Sequence, residues 1–122
     1  HVVGFVGAMP QYGQTGWELH PLAVKREQQR QGIGTLLVQA LEKEVAAQGA
    51  VMLYLGTDDE FNQTTLSQGD LFENTFAKIA AIQNLNRHPY EFYQKVGYQI
   101  VGVIPDANGP GKPDILMAKR LR

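Results

Sequence analysis

The segment Ala50-Val51-Met52-Leu53-Tyr54-Leu55 is an almost unbroken apolar run, and it follows directly on Gly49. A run of this kind reads as an inner strand covered on both faces. Before it, Ile33, Leu36, Leu37, Ala40, Leu41 and Val45 recur at the spacing of one helical stripe, with Glu42, Lys43 and Glu44 mostly away from it. Gly49 is placed to stop that helix in the left-handed conformation. Ahead of the helix, Trp17 to Val24 is a second strand-like run. Strand, helix and strand in this order imply a parallel crossover, which puts the chain in the α/β class.

The remaining pattern adds antiparallel ends. Val2 to Met9 is β-branched and aromatic, closed by Pro10 and Gly13, and forms an expected hairpin with Trp17 to Val24. A polar loop is expected from Thr57-Asp58-Asp59-Glu60 to about Gly69. A second amphipathic helix is then expected from Asp70, carrying Leu71, Phe72, Phe76, Ile79, Ala80 and Ile82. Pro89 suits the first turn of a short third helix with Tyr90, Phe92, Tyr93 and Val96, stopped by Gly97. Strands are expected at Tyr98 to Ile104 and Ile115 to Leu121. There are no internal repeats.

Composition narrows the function. At 122 residues and 43% hydrophobic, the chain reads as one domain, 1–122, able to bury a core without staples. The sequence has no cysteine, which excludes disulfide scaffolds, Cys-ligated metal and thiol catalysis. Eleven Lys and Arg against twelve Asp and Glu argue against a nucleic-acid partner held by phosphate neutralisation. No run spans a bilayer and no signal-peptide layout is present, so no membrane partner is expected and cytoplasm is the default location. His1, His20 and His88 show no metal-ligand spacing, and no metal is expected. The start at His1, inside a strand-like run, reads as a fragment or a trimmed product.

The junction from Val24 through Lys25-Arg26-Glu27-Gln28-Gln29-Arg30-Gln31-Gly32-Ile33-Gly34-Thr35 empties a strand into a glycine-bearing loop that opens a helix. The first amides of a helix lack intrahelical acceptors and carry partial positive charge, so such a loop can grip a diphosphate. Neither a Walker A loop nor the dinucleotide fingerprint is present. On spacing alone, an ordinary strand-to-helix turn fits Gln29-x-x-Gly32-x-Gly34 equally well.

A second motif, Asn86-Arg87-His88-Pro89-Tyr90-Glu91-Phe92-Tyr93-Gln94-Lys95-Val96-Gly97-Tyr98, follows in order. With Gln29-x-x-Gly32-x-Gly34, it resembles the Gcn5-related N-acetyltransferase (GNAT) superfamily. The resemblance is closer to the chromosomally encoded aminoglycoside 6′-N-acetyltransferases, through Gly16-Trp17-Glu18-Leu19-His20-Pro21-Leu22, Tyr54-Leu55-Gly56-Thr57-Asp58-Asp59, His88-Pro89-Tyr90-Glu91-Phe92-Tyr93 and Lys112-Pro113-Asp114-Ile115. It implies a mixed, centrally parallel sheet flanked by helices, with acetyl-coenzyme A in a crevice between splayed central strands. Members of this branch begin with a strand, two helices and a further strand that are missing here.

The resemblance also implies roles. Acetyl-coenzyme A would lie on Gln29, Arg30, Gln31, Gly32, Ile33, Gly34 and Thr35, with its pantetheine arm along Leu22, Ala23 and Val24 and near Asn86 and Tyr93. The backbone N–H of Leu22 would polarise the thioester. An alkylammonium with a pKa of roughly 10 must lose a proton before it attacks. Glu18 is the implied base and stands four residues before Leu22, on the same strand face. Read without the resemblance, Glu18 is a solvent-facing acid. Tyr93 matches the family's general acid, although composition alone reads it equally as a core tyrosine. His20 shares the face of Glu18 and is a candidate for ordering water or the acceptor.

His88-Pro89 reads as the start of a helix, and Asn86 alternatively as a cap. Asp58, Asp59, Glu60, Asp70, Glu73 and Asp114 form a candidate acidic mouth for a polycation, each being singly a solvated acid on the blander reading. The activity expected is direct acetyl transfer to the 6′-amine of an aminoglycoside, from a homodimer conferring antibiotic resistance. The alternatives are transfer to a polyamine, another small amine or a protein lysine, and a non-catalytic fragment that binds coenzyme A or assembles with a partner.

Overall fold

The computed structural model describes residues 4–24 and 32–122. Among the described residues, five strands form a mixed sheet in the order β1-β2-β3-β5-β4, and three α-helices accompany it: β1 is Gly4–Tyr12, β2 Gly16–Val24, α1 Ile33–Ala47, β3 Met52–Asp58, α2 Thr75–Ala80, α3 Tyr90–Lys95, β4 Gln99–Ile104 and β5 Asp114–Arg120. The chain divides into two compact units, residues 1–55 with 119–122, and residues 56–118.

In the first unit, β1 and β2 form the expected antiparallel hairpin, with Met9 opposite Glu18 and Tyr12 opposite Gly16. Pro10 does not close β1 as expected. It sits inside the strand opposite Trp17, which an edge strand tolerates because an edge residue needs no second ladder donor. The ladder shifts register between Pro10 and Tyr12. The turn is fixed by Gly13 at φ +59° and by the Trp17 indole, whose Nε1 donates to the Gln14 carbonyl at 2.9 Å. The crossover is parallel as expected, with Trp17 beside Leu53 and Glu18 beside Tyr54.

Helix α1 keeps its predicted extent, and Gly49 follows it at φ +103°. Its buried stripe is turned from the expected one. Val38 and Val45 are buried, whereas Leu36 is 64% exposed. Leu36 and Val38 lie about 200° apart around the helix, so only one of them can face the core. In β3, Leu53 and Leu55 are fully buried, while Met52 and Tyr54 on the other face are half-buried, so coverage of the two faces is unequal.

In the second unit, the loop expected from Thr57 starts only after Asp58, because β3 runs on to that residue. A 3₁₀ turn, Thr65–Ser67, interrupts the loop. Helix α2 starts at Thr75 rather than Asp70. The Asp70 carboxylate accepts from Phe72 N at 3.0 Å and its carbonyl accepts from Glu73 N at 3.1 Å, which closes a turn in place of a helical turn. Asn74 then adopts φ +50°, outside the helical region. The expected apolar stripe is correspondingly lost: Leu71 is buried, but Phe72 and Phe76 are 68% and 82% exposed. Helix α3 matches expectation, with Gly97 beyond its end at φ +106°. Strands β4 and β5 lie antiparallel, paired from Gln99 with Ala118 to Ile104 with Asp114.

Candidate functional site

Strand β2 presents two unlike faces. Trp17 and Leu19 are buried, and the alternate residues Glu18 and His20 are half-buried and exposed. The period of two therefore brings Glu18 and His20 together, as the sequence predicts. His20 Nε2 lies 3.0 Å from Glu18 Oε1, and Gln11 Nε2 donates to the same oxygen at 3.3 Å. Tyr54 approaches from β3. Burial, the Glu18 carboxylate, the neighbouring Tyr12 and a hydrogen bond to Glu18 all hold its hydroxyl above the ordinary phenol pKa. The arrangement anchors one carboxylate oxygen on a solvent-accessible face, where a carboxylate can receive a proton directly or through water.

The same strand has a backbone edge that is only partly used. The parallel ladder with β3 covers Gly16, Trp17 and Glu18 and ends there among the described residues. Beyond it, β2 continues to Val24 in register with β1, with Ala23 opposite Phe5 and Val24 opposite Gly4. Among the described residues, Leu19 to Val24, including Leu22, show no ladder pair on the side of β2 toward β3. Further on, Gly32 sits at φ +77°, a conformation that suits glycine, and it precedes α1 with no side-chain cap. No acidic residue stands in the first turn of α1. Among the described residues, the amides of Ile33, Gly34 and Thr35 thus have neither helical acceptors nor a first-turn carboxylate to compete for them, which fits the diphosphate of a nucleotide-linked carrier. Gln29, Arg30 and Gln31 lie outside the described residues.

In the second unit, Tyr93 is buried on α3. Its ring meets Phe92 at 5.2 Å and Tyr98 at 6.0 Å between centroids, both nearly edge-on. Burial raises the pKa of its hydroxyl above the ordinary value, so the group keeps its proton at neutral pH. His88 is also buried. Its Nε2 donates to the Asp58 carbonyl at 2.8 Å, and Tyr90 N donates to its Nδ1 at 3.0 Å, which fixes the start of α3 as predicted. Asn86 is exposed, and its backbone N–H donates to the Gln63 carbonyl at 3.1 Å.

One predicted mouth acid is not at the surface. Asp59 is fully buried and accepts from Gln63 N at 2.7 Å, Thr64 N at 2.9 Å and Thr64 Oγ1 at 2.8 Å. Asp58 accepts from Asn108 Nδ2 at 2.6 Å, whereas Glu60, Asp70 and Glu73 are exposed and Asp114 is half-buried. Neither a solvated acid nor a cation-attracting one describes Asp59, because its charge is spent on loop amides.

Residues 1–67 match the acetyltransferase (GNAT) family. A solved aminoglycoside 6′-N-acetyltransferase complexed with coenzyme A is 63% identical to this chain with a TM-score of 0.97, over 98% of this chain and 67% of its own. The aminoglycoside 6′-N-acetyltransferase from Enterococcus faecium is 62% identical with a TM-score of 0.95, over 98% and 68%. The chain belongs to the GNAT acetyltransferase family. Aminoglycoside 6′-acetyltransferase type Ii is 50% identical with a TM-score of 0.72, and the chain spans 98% of itself and 62% of that protein. Comparison with curated protein sequences gives no match.

Within this GNAT chain, sequence reasoning did not assign Gln11, Tyr12 or Tyr54 to the Glu18 site. That information lies in the registers of the hairpin and of the parallel ladder. Pairing Met9 with Glu18 brings the end of β1 alongside the carboxylate, and the register of a short parallel ladder places Tyr54 on its other side. Among the described residues, no helix of this GNAT chain is long and apolar enough to cross a membrane.

Proposed function

We propose that the protein is an acetyl-coenzyme A-dependent N-acetyltransferase acting on the 6′-amine of aminoglycosides, with residues 1–122 working as one domain. The observation that carries the reading is the Glu18 carboxylate, anchored by His20 and Gln11 on a strand whose ladder with β3 ends at Glu18 among the described residues. Likeness to aminoglycoside 6′-N-acetyltransferases, one of them complexed with coenzyme A, supports the choice of acceptor and carrier.

In this reading, acetyl-coenzyme A supplies an acetyl group activated as a thioester. Leu22, Ala23 and Val24 offer main-chain groups to its arm, and Gly32, Ile33, Gly34 and Thr35, with Gln29, Arg30 and Gln31, hold its phosphates. Asn86 is a further contact. The Leu22 N–H is the donor toward the oxygen on which charge builds, and a donor in that role is worth about a hundredfold or more in rate. Glu18 removes the proton from the incoming ammonium, with His20 holding its carboxylate and ordering water. Tyr93 holds the proton destined for the departing sulfur.

Steady-state release of coenzyme A by the purified chain with a 6′-amino aminoglycoside tests the reading, and turnover only with a peptide lysine or a polyamine would replace the acceptor. Tyr93→Phe is expected to lower kcat by about tenfold, since solvent partly replaces a single general acid. Because burial raises the Tyr93 pKa, the wild-type advantage should persist into alkaline solution and vanish only as the pH passes that raised value. A variant as fast as wild type across that range would leave Tyr93 with packing alone. The reading extends to a cytoplasmic homodimer conferring resistance, which sedimentation and drug-susceptibility measurements test.

A further inference from the structure

Tyr12 ends β1 with 64% of its surface exposed, yet its ring is held in place. A Cβ on Gly16, its register partner, would come within 2.8 Å of Tyr12 Cδ2 and 3.0 Å of its Cβ, so the side chain lies over bare glycine backbone. On another side the Tyr54 ring stands 5.9 Å away between centroids, tilted by 57°. The Tyr12 carbonyl accepts from Thr15 N at 3.2 Å and from Thr15 Oγ1 at 3.0 Å, tying the backbone into the turn.

This fixed aromatic pair borders Glu18. Gly16, Glu18 and His20 alternate along one face of β2, Tyr54 is the register partner of Glu18, and the residue before Tyr12, Gln11, donates to the Glu18 carboxylate. A preorganised aromatic surface next to an anionic base suits one class of ligand. Its π face attracts an ammonium and packs the C–H groups of a saturated ring, and little side-chain freedom is lost on binding because neighbours already hold the ring.

We propose that Tyr12, backed by Tyr54, is the rest on which the cationic amino-sugar ring of the acceptor lies while its amine faces Glu18. The proposal rests on the acetyltransferase reading and adds the residue that sets acceptor affinity. In Tyr12→Leu an apolar side chain still covers Gly16 but no ring is present, whereas Tyr12→Phe keeps the ring and loses only the hydroxyl.

The test is steady-state kinetics of both variants with a 6′-amino aminoglycoside, together with wild-type tyrosine-ring NMR signals followed during aminoglycoside titration. Tyr12→Leu should raise the acceptor KM about tenfold, with the loss in kcat/KM carried by KM and the KM for acetyl-coenzyme A unmoved. Tyr12→Phe should stay within about twofold of wild type. An acceptor KM unchanged in Tyr12→Leu overturns the proposal, as do Tyr12 ring signals that do not move on titration. The titration needs neither turnover nor a folded variant. A wild-type chain that moves these signals but transfers no acetyl group would instead sink the acetyltransferase reading.

Discussion

Replacing Glu18 by glutamine is expected to lower acetyl transfer at neutral pH about a hundredfold or more, while coenzyme A affinity stays within about twofold. The substitution keeps the length of the side chain and an amide oxygen that can still accept from Gln11 and His20. What it removes is a group able to take a proton. The acceptor amine, with a pKa of roughly 10, is almost wholly protonated at pH 7, so its attack depends on a base at that pH. Raising the pH should therefore narrow the gap between variant and wild type, as free amine becomes abundant without assistance. Rates measured from pH 6 to 10, with calorimetry for coenzyme A, check both parts. A glutamine variant as fast as wild type at pH 7 would return Glu18 to the role of a strand-surface acid.

Asp59→Ala is expected to destabilise the protein by about 3 kcal/mol, because three donors lose a buried, charged acceptor at once. Gln63 N, Thr64 N and Thr64 Oγ1 all point at this one carboxylate, which is fully buried. The same loop carries the Thr64 hydroxyl that accepts from Leu66 N at 3.1 Å and starts the 3₁₀ turn, so the damage should spread to Leu66, itself fully buried. For a chain of this size the loss corresponds to a fall in Tm of about 10 °C. Thermal unfolding measures it directly, and a shift below about 3 °C would show that the loop repairs its own hydrogen bonds. Asp59→Asn should fall between the two, since one amide oxygen can still accept but the NH2 group cannot.

Periodicity made the central crossover legible. The apolar run from Ala50, the stop at Gly49 and the stripe through Leu41 and Val45 all specify local structure by short-range rules, and α1 and β3 formed where they pointed. The pairing of Glu18 with His20 was legible for the same reason, since a strand's alternation fixes which side chains share a face. Features that depend on tertiary or local side-chain competition were not. Asp70 diverts the backbone into a turn, so Phe72 and Phe76 never share the helical stripe their spacing suggests. Asp59 reads as a loop acid because nothing in the spacing Asp58-Asp59-Glu60 tells that Gln63 and Thr64 fold back over the second of the three. Gln11 and Tyr12 were hidden by a register shift beyond Pro10 that no pattern in the hairpin announces.

The two hydrogen bonds of His88 fix its prototropic form. A ring nitrogen that receives the Tyr90 N–H must be bare, so the proton resides on the nitrogen facing the Asp58 carbonyl. A neutral imidazole locked in one tautomer and shielded from solvent should show a slowly exchanging N–H resonance well downfield of the amides. That single signal would report on the integrity of the segment bearing Tyr93 in any variant, before a single turnover is measured.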